Sequence, residues 1–117
     1  MLIEKLLETE FGIIRLVMIA YSKSCVLTIT SGPLALGSLS LSVPCLDTPG
    51  TSVGTRLLED DSYTCESIID MLSAKYAVQI IVNSKLDEFV WAEKTTNKLI
   101  IQTLLSLFEE TYKSTSK

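Results

Sequence analysis

The residues best suited to chemistry are adjacent carboxylates, three cysteines and one glycine-containing loop. The pairs Glu59/Asp60, Asp60/Asp61 and Glu109/Glu110 could trade protons with a substrate, as paired acids and bases do. Each sits in a polar stretch on which nothing else polar converges, so solvated faces account for them. The loop PGTSVGTR, Pro49–Arg56, has the glycines of a phosphate cradle but neither the GxxxxGK spacing nor its lysine. Cys65 falls in the first turn of an expected helix, where a thiolate would be stabilised. It also belongs to that helix's apolar stripe, and a packed side chain is the simpler reading. The chain has no histidine, which removes the Ser-His-Asp, Cys-His and metal-histidine classes together. The expectation is a protein without enzymatic activity, with no catalytic, cofactor-binding or metal-binding residue assigned.

The elements that would position these residues have to fit in 117 residues, the size of one domain. A chain of this length buries roughly 65% of its unfolded surface, enough for a core without disulfides or metal. Apolar residues make up 47% and mean hydropathy is +0.36, so disorder is a poor reading and core material is abundant. So much apolar content in so small a chain raises the question of where it goes, and a partner surface is one answer. The net charge of −4 and the lack of a basic stripe interleaved with aromatics argue against nucleic acid and anionic membranes. Cys25, Cys45 and Cys65 are 20 residues apart and odd in number, which suits free thiols in a reducing compartment rather than a zinc site or a disulfide framework. The opening MLIEKLLETE is acidic where a signal peptide needs a basic segment, and Ile13–Ala20 is too short to span a membrane. The expected setting is soluble and intracellular, in the cytoplasm with the nucleus as a second compartment.

Along the chain, Met1–Glu10 fits a helical face or a first strand. Phe11–Tyr21 reads as a strand apolar on both faces, in which Arg15 needs a carboxylate, a carbonyl or a route to the edge. Ser24–Thr30 alternates, with Cys25, Leu27 and Ile29 inward. Leu36–Val43 sets Leu39, Leu41 and Val43 against Ser38, Ser40 and Ser42, the pattern of a half-buried strand with a polar outer face. Short connections between these three strands make an antiparallel meander the simplest topology. Pro44–Thr55 reads as a loop, with a short strand at Arg56–Leu58.

Ser62–Lys75 is the first clear helix, capped by Asp61 or Ser62 and carrying one apolar stripe through Cys65, Ile68, Ile69, Leu72 and Tyr76. Ala77–Val82, β-branched and nearly continuous, is expected to be a central strand. Glu88–Ala92 reads as a last short strand. Glu93–Tyr112 is a long helix whose apolar residues sweep about 240° of its circumference, against a stripe of somewhat over 100° for one sheet-facing side. The excess requires the first helix along its flank or a partner chain. Trp91, Ile101, Leu105 and Phe108 are the candidate dimer-interface residues. Residues 1–113 are expected to form one α+β domain, a mostly antiparallel sheet with two major helices packed against it, and 114–117 to fray.

The order of parts in Thr51–Leu86 resembles the small proteasome assembly chaperones, most closely the fourth-chaperone family whose members pair with the third. A Pro/Ser-rich segment leads to TRLLEDDS (Thr55–Ser62), the helix CESIIDMLSAKY (Cys65–Tyr76) and the strand and turn AVQIIVNSKL (Ala77–Leu86). EFVWAEK (Glu88–Lys94) and a closing amphipathic helix follow. Leu57-Leu58 fits the family's short strand, with Glu59 where the family usually has a glycine. The resemblance implies a non-enzymatic chaperone without cofactors. Such a protein forms a heterodimer with a related small chaperone and docks on proteasome α-subunits to guide assembly of the 20S α-ring. A small trafficking or signalling adaptor of the longin or roadblock kind is the first alternative, and a small-molecule-binding domain or enzyme the second.

Overall fold

The computed structural model describes residues 1–34, 36–45, 47–48, 50–58 and 66–112. Its first three strands, β1 (Leu2–Thr9), β2 (Gly12–Ala20) and β3 (Ser24–Ser31), form an antiparallel meander. The ambiguous start of the chain is therefore a strand. Its backbone is tied down at the outset, where Met1 and Ala20 exchange hydrogen bonds of 2.9 and 2.7 Å. The β1–β2 turn is closed by Thr9, whose hydroxyl donates to the Gly12 carbonyl and accepts from the Phe11 amide. Gly12 has a φ of 100°, a conformation that a side chain would resist.

Strands β4 (Ser38–Pro44) and β5 (Ser52–Leu58) form a hairpin. Helix α1 (Glu66–Tyr76) then leads to β6 (Gln79–Lys85). The sheet order is β1-β2-β3-β6-β4-β5, with β6 parallel to β3 and antiparallel to β4. The expected meander thus stops at β3. β4 does not pair with β3, because β6 lies between them. Gly37 lets the chain enter β4 close against β6, where a Cβ would collide with the Ser84 carbonyl. The Gly37 amide donates to Asn83 Oδ1 at 2.7 Å. The expected loop Pro44–Thr55 is shorter than its composition suggests, since β5 begins at Ser52.

Helix α2 (Glu88–Ala92) occupies the segment expected to be a last strand. One helical turn places Val90 and Trp91 together in the core, whereas strand alternation would send one of them outward. The amides of both point back to the Asp87 carbonyl, and exposed Phe89 meets Phe11 edge-on with centroids 5.5 Å apart. Helix α3 (Lys94–Tyr112) completes an α+β fold of one six-stranded, mostly antiparallel sheet and three helices. Among the described residues no helix is long and apolar enough to cross a membrane.

All three helices lie on one face of the sheet. There Leu16, Met18, Leu27, Ile29, Ile80 and Val82 meet Ile69, Leu72, Ile100, Leu104 and Phe108 in one core. Each such side chain contributes about 1.5–3 kcal/mol by leaving water. Two tyrosines fasten the helices. The Tyr112 hydroxyl, at the end of α3, donates between the Tyr21 and Ser24 carbonyls, each 3.1 Å away. The Tyr76 hydroxyl, at the end of α1, donates to Glu109 at 2.6 Å while its ring lies beside Phe108. The first helix therefore does pack along the flank of the long one at this end.

Candidate interaction surface

The serines of β4 turn inward. Ser38, Ser40 and Ser42 are buried beneath α1, and Leu39, Leu41 and Val43 point to the opposite face, with Val43 39% exposed. The expected polar outer face is thus the inner one. The cause is α1, which approaches β4 and β5 over small and polar side chains rather than over leucines. Ser42 donates to Asp70 Oδ1 at 2.7 Å, Ser52 donates to the Asp70 carbonyl at 2.8 Å, and Arg56 pairs with Glu66 at 2.5 Å. Gly54 has no side chain to hold the helix away, and a Cβ there would come within 2.8 Å of the Asp70 carboxylate.

The register extends the apolar outward face across the sheet. Leu2 lies opposite Ile19, Ile19 opposite Val26, Val26 opposite Ile81, Ile81 opposite Leu41, and Leu41 opposite Thr55. One cross-strand row therefore visits all six strands and is apolar on five of them. Val17, Leu39, Val43 and Val53 border it. On the four inner strands β2, β3, β6 and β4 the residues facing the helices are buried, while those of the row are half-buried or exposed, Leu2 at 69% and Ile19 at 38%. Among the described residues no helix packs on this face. Arg15 reaches Glu4 on the neighbouring strand at 3.3 Å, the carboxylate partner expected for it. Both side chains lie on the open face.

Six strands at sheet spacing span about 24 Å, and four outward residues of β2 span about 20 Å. A second sheet laid on this face would remove on the order of 1,000 Å2 from water across the two surfaces, about the minimum for a specific interface. Isolated exposed apolar residues are ordinary, but a contiguous band crossing a whole sheet is not.

Of the four interface candidates on the C-terminal segment, Phe108 and Trp91 are core residues, 0% and 4% exposed. Phe108 is enclosed between the rings of Tyr76 and Tyr112. Ile101 and Leu105 are half-buried on α3, and Leu105 packs on the core. The broad stripe of α3 is thus largely used within the chain. The open row of Ile19, Val26, Ile81 and Leu41 is not among the candidates that the sequence offers. Its signal was there, in a β2 apolar on both faces and a nearly continuous β6.

The groups that could react are held as structural elements. Cys25 is buried, and desolvation pushes its thiol up to about 12, leaving negligible thiolate near neutrality. Tyr76 is pushed up to about 12 by desolvation and by the acceptor Glu109. Tyr112 is raised further, chiefly by desolvation and also by Cys25. Glu93 is held below the usual carboxylate range because it accepts from the Thr95 amide and from the Thr96 hydroxyl and amide at the start of α3. Cys65, Glu59, Asp60, Asp61 and the tail 114–117 lie outside the described residues. The Ser52–Arg56 part of the glycine-containing loop is strand β5, and Gly54 faces the Asp70 carboxylate, a poor setting for an anion. Among the described residues no three His, Cys, Asp or Glu side chains are grouped to hold a metal ion. No protein-family model and no curated protein matches the chain.

Proposed function

We propose that the chain is a dimerising subunit of an assembly chaperone for the 20S proteasome, working with a related small chaperone to guide α-ring formation. The observation that carries the dimer is the open sheet face, with its row from Leu2 to Leu41. In this reading the interface lies on the strands rather than on α3. Two six-stranded sheets packed face to face about 10 Å apart would cover both rows and enclose the Glu4–Arg15 pair at the margin. Chaperone work needs no chemistry from such a dimer. It needs a rigid body whose edges and loops hold neighbouring subunits in one arrangement, so that binding energy favours that arrangement over its competitors. The proteasome as client rests on the sequence resemblance of Thr51–Leu86.

Two measurements test this reading. Sedimentation of the purified chain, alone and with its candidate partner, should give a dimer in at least one case. A folded, strictly monomeric protein in both would refute the dimer. Affinity purification from the source cells should recover a related small chaperone together with proteasome α-subunits, and absence of both would refute the client.

A further inference from the structure

β1 is an edge strand, and the pairing of Met1 with Ala20 fixes which of its backbone groups are free. In an antiparallel ladder hydrogen-bonded pairs alternate, so Ile3, Lys5 and Leu7 point their N–H and C=O groups toward β2. Leu2, Glu4, Leu6 and Glu8 point theirs outward. The β1–β2 register runs from Leu2 to Thr9 without a bulge, and β1 contains no proline, so two common guards of an edge strand are missing.

This edge borders a groove beneath α3. A cleft of about 340 Å3 lies between Lys5 and Leu7 on β1 and Leu99, Thr103, Ser106 and Leu107 on α3. A second cleft of about 490 Å3 continues from Leu99 toward Glu8, Glu10 and Glu93. The combined groove is apolar and hydroxyl-lined in the middle, basic at Lys5 and acidic at its far end. A free strand edge beside an amphipathic helix is the arrangement by which a sheet accepts one more strand from a peptide.

We propose that the β1 edge and α3 form a docking groove for an extended peptide segment of another protein, with alternate apolar side chains and a basic residue at its N-terminal end. The segment runs antiparallel to β1. Its backbone bonds to Leu2, Glu4, Leu6 and Glu8, and its apolar side chains enter over Leu7 and Leu99. Its basic end lies at Glu8 and Glu10, and its C-terminal end lies near Lys5. Charge complementarity along the groove places the basic end, and peptides with Arg at either end test the direction. The groove runs along the sheet edge beneath α3, with Glu8 reaching its end from the open face, and does not depend on the dimer proposed above.

The test is an array of short synthetic peptides carrying alternating Val or Leu with Arg or Glu at either end, probed with the full chain and followed by amide exchange on the best binder. Expected is selection of N-terminal Arg, loss of at least tenfold in affinity in the double variant E8Q/E10Q, and slowed exchange at Glu4, Leu6 and Glu8. The amides of Ile3, Lys5 and Leu7 should already be slow in the free chain. Leu6→Pro removes an outward N–H while sparing the β1–β2 ladder and should abolish binding. Should that variant fail to fold, the E8Q/E10Q and exchange results decide. The proposal is overturned if no array peptide binds, or if binders slow no β1 amide. It is equally overturned if rising protein concentration alone slows those amides, which would assign the edge to a second copy.

Discussion

Ser42 and Asp70 are joined by a 2.7 Å hydrogen bond across the seam between β4 and α1, 28 residues apart in sequence. It ties the inward serine face of β4 to α1. Asp70→Ala should destabilise the fold by about 1–3 kcal/mol, because Ser42 would be left buried without its acceptor. Gly54→Ala should cost a similar amount by displacing the same carboxylate. In urea denaturation the double variant should lose less than the sum of the two, since both act on one interaction.

Ala77 has a φ of 54°, the only positive φ outside glycine among the described residues. The Val78 amide bonds back to the Ser73 carbonyl at 3.2 Å, closing α1 with the hydrogen bond of a Schellman cap. A glycine is the natural residue there. Ala77→Gly should stabilise the protein by about 1 kcal/mol, read as a higher denaturation midpoint with unchanged slope.

Alkaline pH should weaken the fold. The ordinary values of Cys25 and Tyr76 are 9.0 and 10.0, and in the folded chain both are held up to about 12. Between these limits the unfolded chain has already released protons that the folded chain retains, so stability falls as pH rises. Below pH 9.0 this contribution is fully present. Tyr76→Phe should flatten the decline, which thermal melts across the window would show.

The strands and α3 make different claims on an interface. Ile81→Asp, at the centre of the open row, should weaken dimerisation by about thirtyfold or more, as expected for a central anchor worth about 2 kcal/mol. Leu105→Asp should leave the dimer constant unchanged within a few fold. Analytical ultracentrifugation of both variants, with circular dichroism as the folding control, separates the two surfaces.

Local alternation was a good guide where one side chain type recurs against another in contact with the core. Cys25, Leu27 and Ile29 are buried as their pattern requires, and the α1 and α3 segments are helical. Alternation also separated the two faces of β4, but the serine face it assigns to solvent is the buried one. That choice depends on Gly54 and Asp70, residues far away in sequence that let α1 settle on serines. The five residues of α2 are too few for periodicity to separate helix from strand. Strand order was hidden for a similar reason, because the partner of β3 is β6, more than 40 residues later. The candidate interface followed the most conspicuous apolar surplus, on α3, and tertiary packing consumes most of it.

The insertion of β6 between β3 and β4 also bears on how the chain is made. A ribosome delivers β1, β2 and β3 first, and these can pair as they emerge. The β4–β5 hairpin comes next but has no seat beside β3, since the strand it must lie against has not yet been synthesised. It has to wait, its inner edge unpaired, until Gln79–Lys85 appears beside β4 and α1 can close over the serines. Sheet completion is therefore a late event that depends on distant contacts, which slows folding and lengthens the time during which apolar strands stand open to the wrong partners.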